Sequence, residues 1–326
     1  MKAHTLLCVR LGLVAIFGVA AAGYATAQTY PDKRITIISP STPGGPSDVA
    51  LRPLAQELSK VLGQPVIVDN KPGAGGTLTG RACAQAAPDG YTLCNLFNDV
   101  ISNAPFLFKN PGYDPYKDFV PIINGYFITS VIVASPELSV KTMPELVELS
   151  KKTPGGIDFA TPSTGAKIFM DSFNMGTGAN FRAIPYKSGS EVANALIANT
   201  SPVGFLAIGA MAPHIQAGKL KGLVVDSANR LPQFPDLATM KEHGYDSIRI
   251  KTWYGLFAPA GTPKPIVDRL YQEIAKIYND PAFKEKVLIN AGLEPAMGTQ
   301  DEFVRFLQED RVRTEALAKK LKLEPQ

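Results

Sequence analysis

The residues best suited to hold a ligand sit in two turns of the same kind. The first, Ser39-Pro40-Ser41-Thr42-Pro43-Gly44-Gly45-Pro46-Ser47-Asp48, follows the apolar run Ile35 to Ile38 and precedes a segment with helical spacing. A loop that leaves a parallel strand and opens a helix lies at the carboxyl edge of the sheet, where open α/β folds take up ligands. Gly44 and Gly45 lack Cβ atoms, so backbone N–H groups there can approach a bound group closely. The positive helix end favours an anion, and the hydroxyls of Ser41, Thr42 and Ser47 can donate to it. Such a turn would cradle a small carboxylate. An ordinary capped helix behind a stiff turn, with Ser47 or Asp48 as the cap, reads the same residues equally well.

The second turn, Thr161-Pro162-Ser163-Thr164-Gly165-Ala166-Lys167, repeats the pattern with three hydroxyls, a glycine and a helix start. If two lobes face each other, the two turns would grip one ligand from both sides. Lys167 would then meet a second carboxylate, or else lie in solvent like most helix lysines. A third loop, Asn98-Asp99-Val100-Ile101-Ser102-Asn103, should open on the same edge. Asn98 could hydrogen-bond the ligand, whereas Asp99 is expected to cap the next helix, because an unpaired carboxylate would repel a bound anion.

These loops need elements to position them. Ile35 to Ile38 and Pro65 to Asp69 are short, β-branched and bounded by breakers, as buried parallel strands are. Between them Leu51, Leu54, Ala55, Leu58, Val61 and Leu62 recur at helical spacing, with Pro53 an awkward member. The alternation continues through helices at Leu78 to Ala87, Met143 to Lys151, Ala166 to Met175 and Glu191 to Ala198. Strands are expected at Tyr91 to Leu96, Ile157 to Ala160, Val203 to Ala207 and Leu220 to Val225. Strands interleaved with helices argue an α/β protein with largely parallel sheets. Three helices, Ile266 to Tyr278, Ala282 to Asn290 and Asp301 to Leu321, should close the chain.

The first 27 residues read as a secretory signal peptide. Lys2 and Arg10 give a positive start, Leu11 to Ala22 is nearly all apolar, and Ala25-Thr26-Ala27 offers a small-residue cut site. The exported chain of about 299 residues exceeds what one core usually serves, so two lobes are expected. Lys2 and Arg10 carry two of the four net positive charges, leaving +2, too weak a bias for nucleic acid or a membrane surface. Phe127 to Ala134 and Lys251 to Ala258 are the candidate crossings between lobes. They divide the chain into 28–127 plus 252–326 as a discontinuous first lobe and 128–251 as the second. In an oxidising compartment Cys83 and Cys94 could form a disulfide if the helix carrying Cys83 hairpins onto the strand carrying Cys94; otherwise they are two buried thiols.

Catalytic signatures are missing. There is no Gly-x-Ser-x-Gly elbow, His214 and His243 stand apart from other metal-ligand types, and in Gly73 to Gly80 a leucine, Leu78, takes the third glycine place of a dinucleotide loop. No enzyme activity, cofactor or metal is expected.

Several long segments resemble one family. "YPDKRITIISPSTPGGPSD", "VIVDNKPGAGGTLTGRACAQAAPDGYTLC", "GYDPYKDFVPI", "IPYKSGSEVANALIAN", "AGKLKGLVV", "RLPQFPDLATMKE" and "WYGLFAPAGTPKPIVDRL" are similar, in order, to the periplasmic solute receptors of tripartite tricarboxylate transporters, the Bug receptors. The resemblance implies a two-lobed periplasmic-binding-protein fold with an interlobe cleft and a hinge. It implies capture of an organic carboxylate and delivery to membrane permease subunits, by a protein expected to be monomeric. A carboxylate sensor serving a signalling partner, or an enzyme on the same fold, would use the same cleft. The turns Ser41 to Asp48 and Thr161 to Lys167 match the family's carboxylate-gripping loops. Three departures bear on the ligand: Ser41 stands where an aromatic is common, Lys167 where small or neutral residues are usual, and Asn199 to Gly204 lacks the family's frequent aspartate. That last loss removes a partner for an amino group and argues against amino-acid ligands.

Overall fold

The computed structural model describes residues 30–248, 251–296 and 298–325; the signal peptide expected at 1–27 lies outside them. From Lys33 onward the chain forms one compact unit built around two sheets.

The first sheet starts as the sequence suggests. Strand β1 (Ile35–Ser39) runs parallel to β2 (Val66–Asn70) and to β3 (Thr92–Phe97). Helix α1 (Asp48–Leu62) joins β1 to β2 and buries Leu51, Leu54, Ala55, Leu58 and Leu62. It continues through Pro53 and stops at Gly63, whose φ of 67° suits glycine. Helix α2 (Thr77–Ala84) precedes β3, and a Cys83–Cys94 disulfide ties the two together with Cα atoms 6.0 Å apart.

The rest of this sheet is assembled from afar. Strand β4 (Phe119–Ile128) is followed by the single residue Thr129, after which β5 (Ser130–Ala134) begins in the second sheet. The second sheet also contains β6 (Ile157–Thr161), β7 (Phe181–Pro185), β8 (Val203–Ala207) and β9 (Lys221–Val225). The chain then returns as β10 (Thr252–Pro259), which inserts between β3 and β4, and β11 (Leu293–Pro295) flanks β4. The orders are β11-β4-β10-β3-β1-β2 and β7-β6-β8-β5-β9. Both sheets are mixed, which corrects the expectation of largely parallel ones. β10 opposes β3 and β4, while β5 opposes β8 and β9, because the crossing strands enter against the βαβ direction.

Helices α3 (Met143–Lys152), α4 (Thr164–Thr177), α5 (Gly189–Ile197) and α6 (Ile208–Gln216) cover the second sheet. One face holds Phe159, Phe169, Phe173 and Phe205, with Phe169 and Phe205 stacked at 4.1 Å; the other holds Val131, Ala160, Val192 and Leu206. On the first sheet lie α7 (Lys264–Asn279) and α8 (Gln300–Leu321). α8 sets Phe303 and Phe306 edge-on against the buried Trp253 of β10. The helix expected over Ala282 to Asn290 is broken into a short turn (Pro281–Phe283), a wide π-type turn (Lys284–Leu288) and a 3₁₀ turn (Ile289–Ala291). Gly292, at φ 72°, ends this stretch and passes the chain to β11.

The sheets are linked at Thr129. Its N–H donates to the Gly292 carbonyl at 3.1 Å, and its carbonyl accepts from the Ile208 N–H at 2.9 Å. Thr129 is buried, so both backbone groups need these partners.

Candidate functional site

The turn after β1 is organised from within. Ser47 Oγ donates to Ser41 Oγ at 2.7 Å and lies 3.2 Å from Ser39 Oγ, so these buried hydroxyls form the floor of the turn. Asp48 does not cap α1, as the sequence reading expected; its carboxylate reaches back into the turn. Its Oδ2 accepts from the Gly44 N–H at 2.8 Å and from Arg52 Nε at 2.8 Å, and its Oδ1 accepts from Asn70 Nδ2 at 2.9 Å. Burial pushes the Asp48 carboxyl up, but Arg52, the Gly44 N–H and Asn70 together outweigh it and leave it below the usual carboxylate value. The Gly45 N–H is likewise committed, to the Thr42 carbonyl at 2.9 Å. Gly44 needs its glycine, since its φ is 75°. What this turn presents outward is Thr42, Gly44, Gly45 and Pro46.

The turn after β6 faces it. Ser163 caps α4, its Oγ accepting from the Ala166 N–H at 3.2 Å. Pro162, Ser163, Gly165 and Ala166 line a cavity of about 310 Å³ that Thr42, Gly44 and Gly45 also line. Thr161 is buried behind it and donates to the Ile184 carbonyl at 3.3 Å. Thr164 is absent from the wall, and so is Lys167, whose Nζ sits 2.6 Å from Asp171 one helical turn on, in solvent. The structure therefore does not bring Lys167 to the second-carboxylate position that the sequence reading allowed.

The third loop contributes Asn98 and Asp99 to the same wall. Asp99 does not cap a helix either. Its Oδ1 accepts from Asn103 Nδ2 at 2.6 Å and from Asn98 Nδ2 at 3.3 Å, and Gly165 approaches this carboxyl across the cleft, close enough that a Cβ there would sit 3.2 Å from Oδ1. Burial drives the Asp99 carboxyl above its ordinary value, opposed by Asn103 and the Gly165 N–H. Sequence reasoning passed over a further helix start, Ser188 to Ser190 at the head of α5, where Ser188 Oγ accepts from the Glu191 N–H at 3.2 Å. Its signal was present as Ser188-Gly189-Ser190-Glu191, hydroxyls and a glycine ahead of an apolar run, with the Ser-x-x-Glu capping spacing. Phe97, Ile128, Phe205 and Leu206 supply apolar walls, and Tyr254 stacks on Phe97 at 5.1 Å. Burial raises the Tyr254 phenol, so it stays a neutral hydroxyl.

Among the described residues lining this cleft, Asp99 is the only charged one; no lysine, arginine or histidine reaches it. An anion would be met by helix starts and hydroxyls, which fix its orientation without an ion pair.

A family model described as tripartite tricarboxylate transporter family receptor matches residues 50–323. The chain belongs to this family. The receptor is 33% identical over 314 residues to the protein BugT of Bordetella pertussis, covering 92% of this chain and 93% of that one. Among solved structures it resembles an R. palustris protein with adipate, at a TM-score of 0.84 and 26% identity over 91% of this chain and all of that one. It also resembles MatC from Rhodopseudomonas palustris with bound malate, at a TM-score of 0.78 and 27% identity over 89% of this chain and 100% of the other. The receptor is thus a solute-binding protein of the two-lobed periplasmic type, a class of binding proteins rather than of enzymes.

Proposed function

We propose that the receptor takes a small organic carboxylate, aliphatic or aromatic, into the cleft between its lobes and delivers it to the membrane permease subunits of a tripartite tricarboxylate transporter. One observation carries this reading: helix starts from both lobes, behind Gly45, Ser163 and Ser188, converge on one cavity with no cationic side chain among the described residues that line it. Positive helix ends and hydroxyls suit a compact anion, and the apolar walls suit its hydrocarbon part. The adipate and malate held by the two R. palustris neighbours, both carboxylates, support the class.

In this reading residues 28–127 with 252–326 form one lobe and 128–251 the other. The ligand shifts the population toward the closed form, and the permease reads that form. Thr129 is the rotating peptide, because β4 and β5 meet there with no loop between them. The protein is exported by residues 1–27 and works as a monomer in the periplasm.

The test is a thermal-shift screen of the mature protein against mono-, di- and tricarboxylates, aromatic acids, amino acids and uncharged sugars. A ligand at a hundred times its Kd adds about 2.7 kcal/mol of stability by mass action. The expected result is a rise in Tm confined to carboxylates. A rise with sugars alone, or with nothing, refutes the carboxylate reading.

A further inference from the structure

Asp99 faces the ligand cleft in a way that gripping an anion does not explain. It belongs to the lobe built on the first sheet, is 3% exposed, and receives Asn103 Nδ2 at 2.6 Å. Gly165 at the start of α4, in the opposite lobe, closes on it, so that a Cβ there would sit 3.2 Å from Asp99 Oδ1 and 3.7 Å from Oδ2. The protein's own carboxylate therefore stands where that helix start would hold a ligand's carboxylate. A ligand carboxyl group brought to the same place would be set against another carboxyl group, with no cation among the described lining residues to join the two.

Asn98 supplies a second, independent observation. It is 5% exposed, lines the same cavity, and its Oδ1 is buried without a hydrogen-bond partner. The amide cannot simply be turned over, because its Nδ2 lies 3.3 Å from Asp99 Oδ1 and reversal would set two oxygens against each other. A buried acceptor is costly until a donor meets it. Asn98 and Asp99 together make this corner of the cleft an acceptor site.

We infer that Asn98 and Asp99 select, within the carboxylate class proposed above, acids with a single carboxyl group whose far end carries a hydrogen-bond donor, a hydroxyl or an ammonium, and turn away dicarboxylates. The inference rests on that reading. The carboxyl group goes to the helix start that remains open, Ser188 to Ser190, with Thr42 facing it from the other wall. The donor end goes to Asn98 Oδ1 and the Asp99 carboxylate. The loss of an aspartate in Asn199 to Gly204 argued against amino acids, but Asp99 restores an acidic partner from the other lobe.

The experiment titrates the mature receptor, by calorimetry, with straight-chain acids in matched sets of one chain length: the plain acid, the ω-hydroxy acid, the ω-amino acid and the α,ω-dicarboxylate. The expected result is that the hydroxy or amino acid binds about tenfold or more tightly than the dicarboxylate, the two arms telling a neutral donor from a cation. Asp99→Asn removes the carboxyl group while keeping the shape, and should close that gap by about tenfold or more. Asn98→Ala should weaken the donor-bearing acid about tenfold and leave the plain acid within about twofold. Wild-type protein that binds dicarboxylates as well as donor-bearing acids overturns the inference even if a variant fails to fold, and leaves the carboxylate receptor standing. A folded Asp99→Asn with an unchanged ratio overturns it too. If no acid of any set binds the wild type, the carboxylate reading itself falls.

Discussion

Gly165→Val separates the stability of the lobes from the geometry between them. Gly165 lies in the first turn of α4 with ordinary backbone angles, so a side chain there carries no backbone strain. Exchanging glycine for valine in a helix gains a few tenths of a kcal/mol, at about 0.3. The added Cβ, however, would sit 3.2 Å from Asp99 Oδ1 and 3.7 Å from Oδ2, and the two methyls beyond it reach further. Either the lobes part or Asp99 swings away from Asn103. In both cases the close approach of Gly165 to Asp99 is lost, a steric disturbance worth about 1–3 kcal/mol. If the bound form uses this approach of the lobes, the Kd for the best acid rises by about 5- to 150-fold, the same energy expressed as affinity. Calorimetry reads the affinity and urea unfolding the stability, which should stay within about 0.5 kcal/mol of wild type. A Kd within about twofold of wild type, with unchanged stability, would show that the Gly165–Asp99 approach plays no part in binding, and the reasoning fails.

Three further outcomes follow from contacts elsewhere in the molecule. Asp310, 5% exposed, accepts from Trp253 Nε1 at 2.9 Å and Ser102 Oγ at 2.5 Å, so Asp310→Ala leaves two buried donors unmet and should cost about 3 kcal/mol in urea unfolding; a loss under about 1 kcal/mol would contradict it. Lys167→Ala should leave the affinity for every acid within about twofold, since its amine pairs with Asp171 in solvent, and a selective loss of dicarboxylates would return this lysine to the site. Asp48, held below its ordinary value, contributes stability that is present above the unfolded carboxylate value, about 3.9, and is lost as pH falls through the lower folded value. The stability gap between wild type and Asp48→Asn should thus be constant at neutral pH and shrink on acidification; a gap that widens as pH falls would reverse the sign.

How far the sequence could be read depended on whether the cause was local. Ile35 to Ser39 and the spacing from Leu51 to Leu62 specify strand and helix through their own neighbours, and both appear within a residue or two. The two glycine turns and the crossing near Thr129 were legible for the same reason, because breakers and β-branched runs act over a few positions. The pairing of Lys167 with Asp171 was also readable from the i,i+4 spacing, yet the strand-turn-helix pattern drew attention to the lysine alone. Asp99 was different. Its setting depends on Gly165, which lies in the helix that follows β6 of the second sheet, and no local pattern encodes that meeting. The strand β11, and the antiparallel placement of β10 between β3 and β4, were hidden likewise, since their partners lie well over a hundred residues away in the chain.

The insertion of β10 between β3 and β4 gives the chain an order of completion. All five strands of the second sheet come from the continuous stretch between Ser130 and Val225, so that sheet can form as soon as this segment is available. The first sheet cannot. Until Thr252–Pro259 arrives, β3 and β4 have no common neighbour, and each exposes an unpaired edge. Closing that gap requires a loop longer than the entire second sheet, with the entropy cost and slow search that distant contacts carry. A nascent chain cut before residue 252 would hold one finished sheet and one split in two, with Asn98 and Asp99 at the end of the unfinished half. The lobe that begins first in the sequence is therefore the last to be sealed, and the acceptor corner of the cleft is assembled only when the chain is nearly whole.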